Sequence, residues 1–196
     1  TVRTPNVFTI GAGRAAAALS GALRRSGVPV LGLWGRRPDQ ARHAGAIAGV
    51  AAFSAGPPDL LLEADVVIVA VRDDSIREVG QTLLRWLSRK AAVHFSERLD
   101  AVASETGLDY SRLLLRRQRT RWGSCSATGT ISLNICLMFQ RPEVVRYLMI
   151  HELCHRRHMN HSPRYWQLVE SFEPHWRTLD KELLQGWRHV PAWVFP

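Results

Sequence analysis

Along the first 80 residues, short apolar runs alternate with longer stretches of helix-forming composition. Residues 6–10 are a short apolar run ending at Gly11, Ala12 and Gly13. Residues 14–26 are rich in Ala and Leu, strong helix formers, and Gly27 supplies a C-terminal stop. Residues 28–34 predict a second strand, and Pro38 opens a second helix over 38–47. The continuous apolar run DVVIVAV over 65–71 predicts a parallel strand covered on both faces. The order is βαβαβ, with right-handed crossovers.

After residue 80 the spacing changes. Residues 81–105 predict a long helix or two, with Leu83, Leu84, Leu87, Ala91, Phe95, Leu99 and Val102 on roughly one side. Residues 113–117 and 130–137 predict strands on either side of the turn-rich stretch 123–129. Residues 142–158 predict a helix with Pro142 in its first turn. Ser162 and Pro163 cap and start another, running to about residue 172. Pro174 starts a last helix, to residue 184. The expected division is therefore 1–80, an α/β unit, and 81–196, an α+β domain.

Composition narrows the class. Hydrophobic residues make up 46% of the chain, enough for a packed core, yet no run of 18 apolar residues offers a membrane-spanning helix. The apolar stretch 7–18 is interrupted by Gly11, Gly13 and Arg14 and has no basic leader, unlike a signal peptide. Three cysteines, Cys125, Cys136 and Cys154, lack CxxC spacing; the odd count argues against a disulfide framework and for a reducing, cytoplasmic setting. The net charge of +9 is uneven: residues 1–80 hold nine Arg against seven acids, the remainder 17 basic against 10 acidic side chains. That excess makes nucleic acid a weakly indicated partner, since almost every basic residue is Arg, a bias that coding composition also produces.

Four of the eight histidines fall in HELCHRRHMNH, residues 151–161. Two His at i and i+4 of a helix project from one face, so His151 and His155 can reach one ion. Glu152 lies about 100° round the helix and can face water there without being a ligand. Zinc on three protein ligands keeps a place for water and lowers its pKa to about 7, and Glu152 would take that proton and pass it to a leaving amine. The third ligand has two candidates. His158, seven residues on, lies about 10.5 Å from His151 along a helix axis, too far for both rings to converge easily. His161 stands beyond the expected helix end, where a returning chain can present it.

Residues 82–196 resemble the small YgjP-like zinc metallopeptidases, relatives of the SprT-like group. The resemblance rests on RTRWGSCS (119–126), GTISLN (129–134), HELCH (151–155) and NHSPRYW (160–166), in the family's order and spacing. It implies a zincin-like core with a small sheet beside the active-site helix. By the same resemblance, zinc is held by His151, His155 and His161, Glu152 is the base, and the substrate is a peptide or protein. The His spacing also equals that of metzincins, but their downstream Met-turn has no counterpart, since Met138, Met149 and Met159 all precede His161. Trp122 reads as a packing residue, Asn134 as a residue fixing a strand end, and Arg164 and Tyr165 as solvated charge and helix packing. Arg116, Arg117, Arg119 and Arg121 read as solvated surface.

Gly11, Gly13 and Ala16 follow a strand and open a helix, where backbone N–H groups can cradle a pyrophosphate. After the second strand, Gly35, Arg36 and Arg37 stand where an acid would select NAD, and an Arg such as Arg36 there suits the 2′-phosphate of NADP. The stretch resembles part of a Rossmann-like NADP-binding domain, with Gly11, Gly13 and Arg36 as its cofactor contacts. Its 80 residues supply only one mononucleotide-binding half. The competing reading is thus an NADP-binding oxidoreductase or sensor whose C-terminal domain is structural.

Overall fold

The computed structural model describes residues 3–56, 58–72 and 76–195. The chain divides into two compact units between Trp86 and Leu87. In the first, β1 (Val7–Ile10), α1 (Arg14–Arg25), β2 (Val30–Trp34), α2 (Pro38–Ala48), β3 (Ala52–Phe53) and β4 (Val66–Val69) build a four-stranded sheet in the order β3-β2-β1-β4. All its pairings are parallel. This is the Rossmann-like βαβ topology expected from the alternation of apolar runs and Ala-rich segments. The central strand β1 is buried along its whole length, and Thr9 satisfies its hydroxyl there by accepting from Ser20 Oγ of α1 at 2.8 Å.

One expectation is corrected in this unit, and two short elements are added to it. The run 65–71 is not covered on both faces: β4 pairs with β1 alone, at the sheet's edge, and Val66 and Val69 stay 42% and 41% exposed. The two-residue strand β3 and the 3-10 helix Asp59–Glu63 were also unforeseen, being too short for any hydrophobic period.

One continuous helix, α3 (Ile76–Thr106), replaces the expected helix or two. Leu87, Ala91, Phe95, Leu99 and Val102 are buried along it in the second unit, as the spacing predicts. There β5 (Arg112–Arg116), β6 (Gly123–Cys125) and β7 (Thr130–Asn134) form a mixed sheet in the order β5-β7-β6, β5 parallel and β6 antiparallel to β7. Strand β6 lies inside the stretch read as turns, because Gly and Ser hide its strand character. The strand expected to reach residue 137 stops at Asn134, whose Oδ1 accepts from Cys136 N at 3.1 Å and starts a 3-10 turn. The Asn134 amide also donates to the carbonyls of Gln118 and Arg121, at 2.7 and 2.9 Å, and so ties the loop before β6 to the end of β7.

The helices α4 (Pro142–Cys154), α5 (Pro163–Phe172) and α6 (Trp176–Gln185) complete this unit. Helix α4 is its central element: nine of its 13 residues are buried, from Val144 to Cys154. Arg141, ahead of its first turn, is clamped by both oxygens of Glu182 on α6 at 2.7 and 2.8 Å. The helix ends at Cys154, not at His158 as expected. The amides of Arg156, Arg157 and His158 turn back to the carbonyls of Leu153 and Cys154, and the imidazole of His155 takes up the carbonyl of His158. Ser162 caps α5 by accepting from Tyr165 N, as its sequence signal requires. The last helix begins two residues after Pro174. No described helix is long and apolar enough to cross a membrane.

Candidate metal centre

His151 projects from the last turn of α4, His155 stands at its C-terminal cap, and His161 lies just before α5. Early termination of α4 lets the chain reverse within six residues and bring His161 back to the helix. One ligand-competent atom from each of the three residues lies within 4.8 Å of the other two, and Nε2 of His161 sits 3.2 Å from Nε2 of His151. Zinc–nitrogen bonds of 2.0–2.1 Å in tetrahedral geometry separate two ligand nitrogens by about 3.3 Å. The three-imidazole donor set therefore suits zinc, and the His151–His161 separation is that of two ligands on one ion. Burial, reinforced by the neighbouring His155 and His161, pushes His151 down to about 3, so the ring is a neutral lone-pair donor. Burial also lowers His155. His158 is outside the cluster; only its backbone carbonyl reaches the site, accepting from His155 Nδ1 at 3.0 Å.

Glu152 is buried, 4% exposed, and its carboxylate lies against β6. A Cβ at Gly123 would stand 2.5 Å from its Oε1 and 3.0 Å from Cδ and Cγ. Burial raises its carboxyl to about 8, partly opposed by the positive charge of Arg121. Glu152 is the buried acid of the helix turn that carries His151 and His155.

Aromatic rings wall the cluster. Tyr165, fully buried, stacks on His155 at 4.6 Å and donates to the His151 carbonyl at 2.9 Å, so it packs as expected; Arg164 is exposed. Trp166 stacks on His161 at 5.5 Å and on Trp176 at 4.2 Å, and the Arg177 guanidinium caps the column 4.5 Å above Trp176. Trp122 stacks on Trp187 at 4.0 Å, a packing role. Tyr147, Asp180, Trp166 and Trp176 were not singled out from sequence. Tyr147 carried a signal in its place one helical turn before His151, and Trp166 in closing the NHSPRYW motif. The arginines of the 116–121 segment are exposed, and Arg117 and Arg119 donate to the carbonyls of Val194 and Phe195 at 3.0 and 3.1 Å. All three cysteines are free thiols.

In the first unit, a cavity of about 650 Å³ is lined by Gly11, Gly13, Trp34, Arg36 and Arg37. Gly11, at φ 139, lies so close to the Ala70 carbonyl that any side chain would collide with it, whereas Gly13, ahead of α1, has open space where a Cβ would stand. The two glycines thus serve different ends: the first closes the strand turn, the second opens the helix N-terminus to the cavity.

Residues 60–185 match the family model of the YgjP-like metallopeptidase domain, and residues 6–94 match that of the coenzyme F420-dependent NADP oxidoreductases. Among solved structures, the metallopeptidase zymogen of Pyrococcus abyssi abylysin is similar at 22% identity and a TM-score of 0.43, over 46% of this chain and 91% of its own. That of Methanocaldococcus jannaschii jannalysin is similar at 16% identity and 0.41, over 46% and 93%. No curated protein matches the chain.

Proposed function

The chain belongs to the YgjP-like metallopeptidase family, and from that premise we propose that it hydrolyses peptide bonds with one zinc ion on His151, His155 and His161 and with Glu152 as general base. The observation that carries this is the convergence of three imidazoles from a helix and the segment beyond it, with two Nε2 atoms 3.2 Å apart. Zinc, when bound there, supplies Lewis acidity toward a carbonyl and acidifies water. His151 and His155 present lone pairs from a buried helix end, so the ion is held without ordering the helix anew. Glu152, on the same turn and ionised once a bound cation offsets the effect of its burial, takes a proton from water and returns it to the leaving amine. Gly123 keeps β6 flush against that carboxylate.

The test is elemental analysis of the purified chain with a peptide-hydrolysis assay. One zinc per chain, lost in His155→Ala, and turnover abolished by a chelator and in a zinc-loaded Glu152→Gln protein, are the expected results. A wild-type protein that retains no stoichiometric metal, or hydrolysis indifferent to chelation, would overturn it.

A second observation favours a companion reading of the N-terminal unit. We propose that its cavity takes NADP, with the pyrophosphate at Gly13 and the 2′-phosphate at Arg36; Gly11 shapes the turn that leads from β1 to Gly13. NADPH fluorescence titration tests this: Arg36→Ala should weaken NADPH while leaving NADH unchanged. Equal affinity for the two dinucleotides would sink the 2′-phosphate assignment. Hydride transfer forms no part of this reading.

A further inference from the structure

We propose that Tyr147 and Asp180 form a positioning pair that decides which nitrogen of His151 faces the metal. The proposal deepens the zinc reading above and rests on it. Tyr147 lies one turn before His151 on α4, and its ring meets the imidazole edge-on, centroids 6.0 Å apart at 74°. Its hydroxyl is 3.4 Å from His151 Nδ1 and 2.8 Å from Asp180 Oδ1 on α6. The first contact is long for a hydrogen bond and the second is short.

Proton counting fixes the direction of both contacts. A phenol has one proton, and an ionised carboxylate can only accept. The Tyr147 O–H therefore donates to Asp180, and its oxygen turns lone pairs toward His151. Nδ1 of His151 must then carry the proton and donate, which leaves the lone pair on Nε2, the atom 3.2 Å from His161 Nε2. His155 reaches the same tautomer by another route, since its Nδ1 is 3.0 Å from the His158 carbonyl, which can only accept. One helix ligand is thus set by backbone, the other by a buried side chain backed by a carboxylate. Tyr147 is fully buried, so its hydroxyl has no water to fall back on. The pair also ties the ligand to α6, which packs on α4, so that the last helix helps to shape the metal centre.

The experiment uses the full chain labelled with ¹⁵N-histidine. Long-range ¹H–¹⁵N correlation on the metal-free protein reads the His151 tautomer, assigned with His151→Gln, and chelator competition measures zinc affinity. Wild type should show Nδ1–H. Asp180→Ala frees the phenol to donate to Nδ1 and should flip the ring to Nε2–H. Asp180→Asn keeps an acceptor and should restore Nδ1–H. Tyr147→Phe should weaken zinc binding 10- to 100-fold, the loss common for such outer partners. An Nε2–H ring in wild type would overturn the pairing. So would an unchanged tautomer in Asp180→Ala or unchanged zinc affinity in Tyr147→Phe, and Asp180→Ala settles the matter should Tyr147→Phe misfold. The zinc reading fails separately: a wild-type chain with the expected tautomers but no zinc affinity removes the metal and leaves the hydrogen-bonded pair in place.

Discussion

Replacing Gly123 by alanine should separate catalysis from stability at one methyl group. The new Cβ would stand 2.5 Å from Glu152 Oε1 and 3.0 Å from its Cδ and Cγ, where ordinary contact begins near 3.4 Å. Relief requires the carboxylate to retreat by about 1 Å, and because the obstructing atoms are the far end of a flexible side chain, the fold can yield. The expected stability loss is under about 1 kcal/mol, the scale of a mild off-rotamer strain. A misplacement of about 1 Å at a reacting group costs on the order of 100-fold in rate, or about 2.7 kcal/mol of activation free energy. The three histidines are untouched, so zinc content should stay at one per chain. The assay is kcat on a quenched fluorescent peptide library, with metal content and thermal unfolding measured on the same preparation. Full activity in a folded, zinc-loaded Gly123→Ala protein would refute the placement of Glu152 in the reaction.

Other expectations follow from the same geometry. His161→Ala should lower zinc affinity by orders of magnitude, while His158→Ala, which keeps the backbone carbonyl that His155 uses, should change it less than threefold in a chelator titration. Asn134→Ala removes three hydrogen bonds at a buried strand end and should cost about 3 kcal/mol, read as a lowered urea midpoint. Burial and the bond to Asp100 push the Tyr110 hydroxyl up to about 12, and burial raises Tyr147 and Tyr165 further. Since the folded values lie above the unfolded 10, the contribution of all three to stability is intact below pH 10; that of Tyr110 is lost as pH rises through 12, and those of Tyr147 and Tyr165 at higher pH still. A phenolate absorbance step near pH 10 in the native protein would contradict those environments.

Much of this molecule could be read from spacing alone, where periodicity was long enough to speak. The Ala-rich run gave α1 within a residue of its end, and the apolar series from Leu87 to Val102 gave the buried face of α3. The histidine set was legible because i, i+4 geometry restricts what a helix can offer an ion. Failures cluster where tertiary partners overrule local pattern. Nothing in Gly123, Ser124 and Cys125 announces a strand; pairing with Leu133, Ser132 and Ile131 makes it one. Nor does DVVIVAV reveal that, among the described residues, no further strand follows it in its sheet. Asp180 was invisible because its meaning depends on Tyr147, 33 residues earlier, across a helix interface.

The unequal burial of the three imidazoles has a consequence for how the centre assembles. His151 and His155 belong to a helix enclosed by its neighbours, whereas His161 rides on an exposed connection steadied by a column of rings. Two of the three ligands are thus held by the packed helix and the third by an exposed segment. Amides in residues 158–162 should accordingly slow their exchange with deuterium when metal is added, while those of α4 change little.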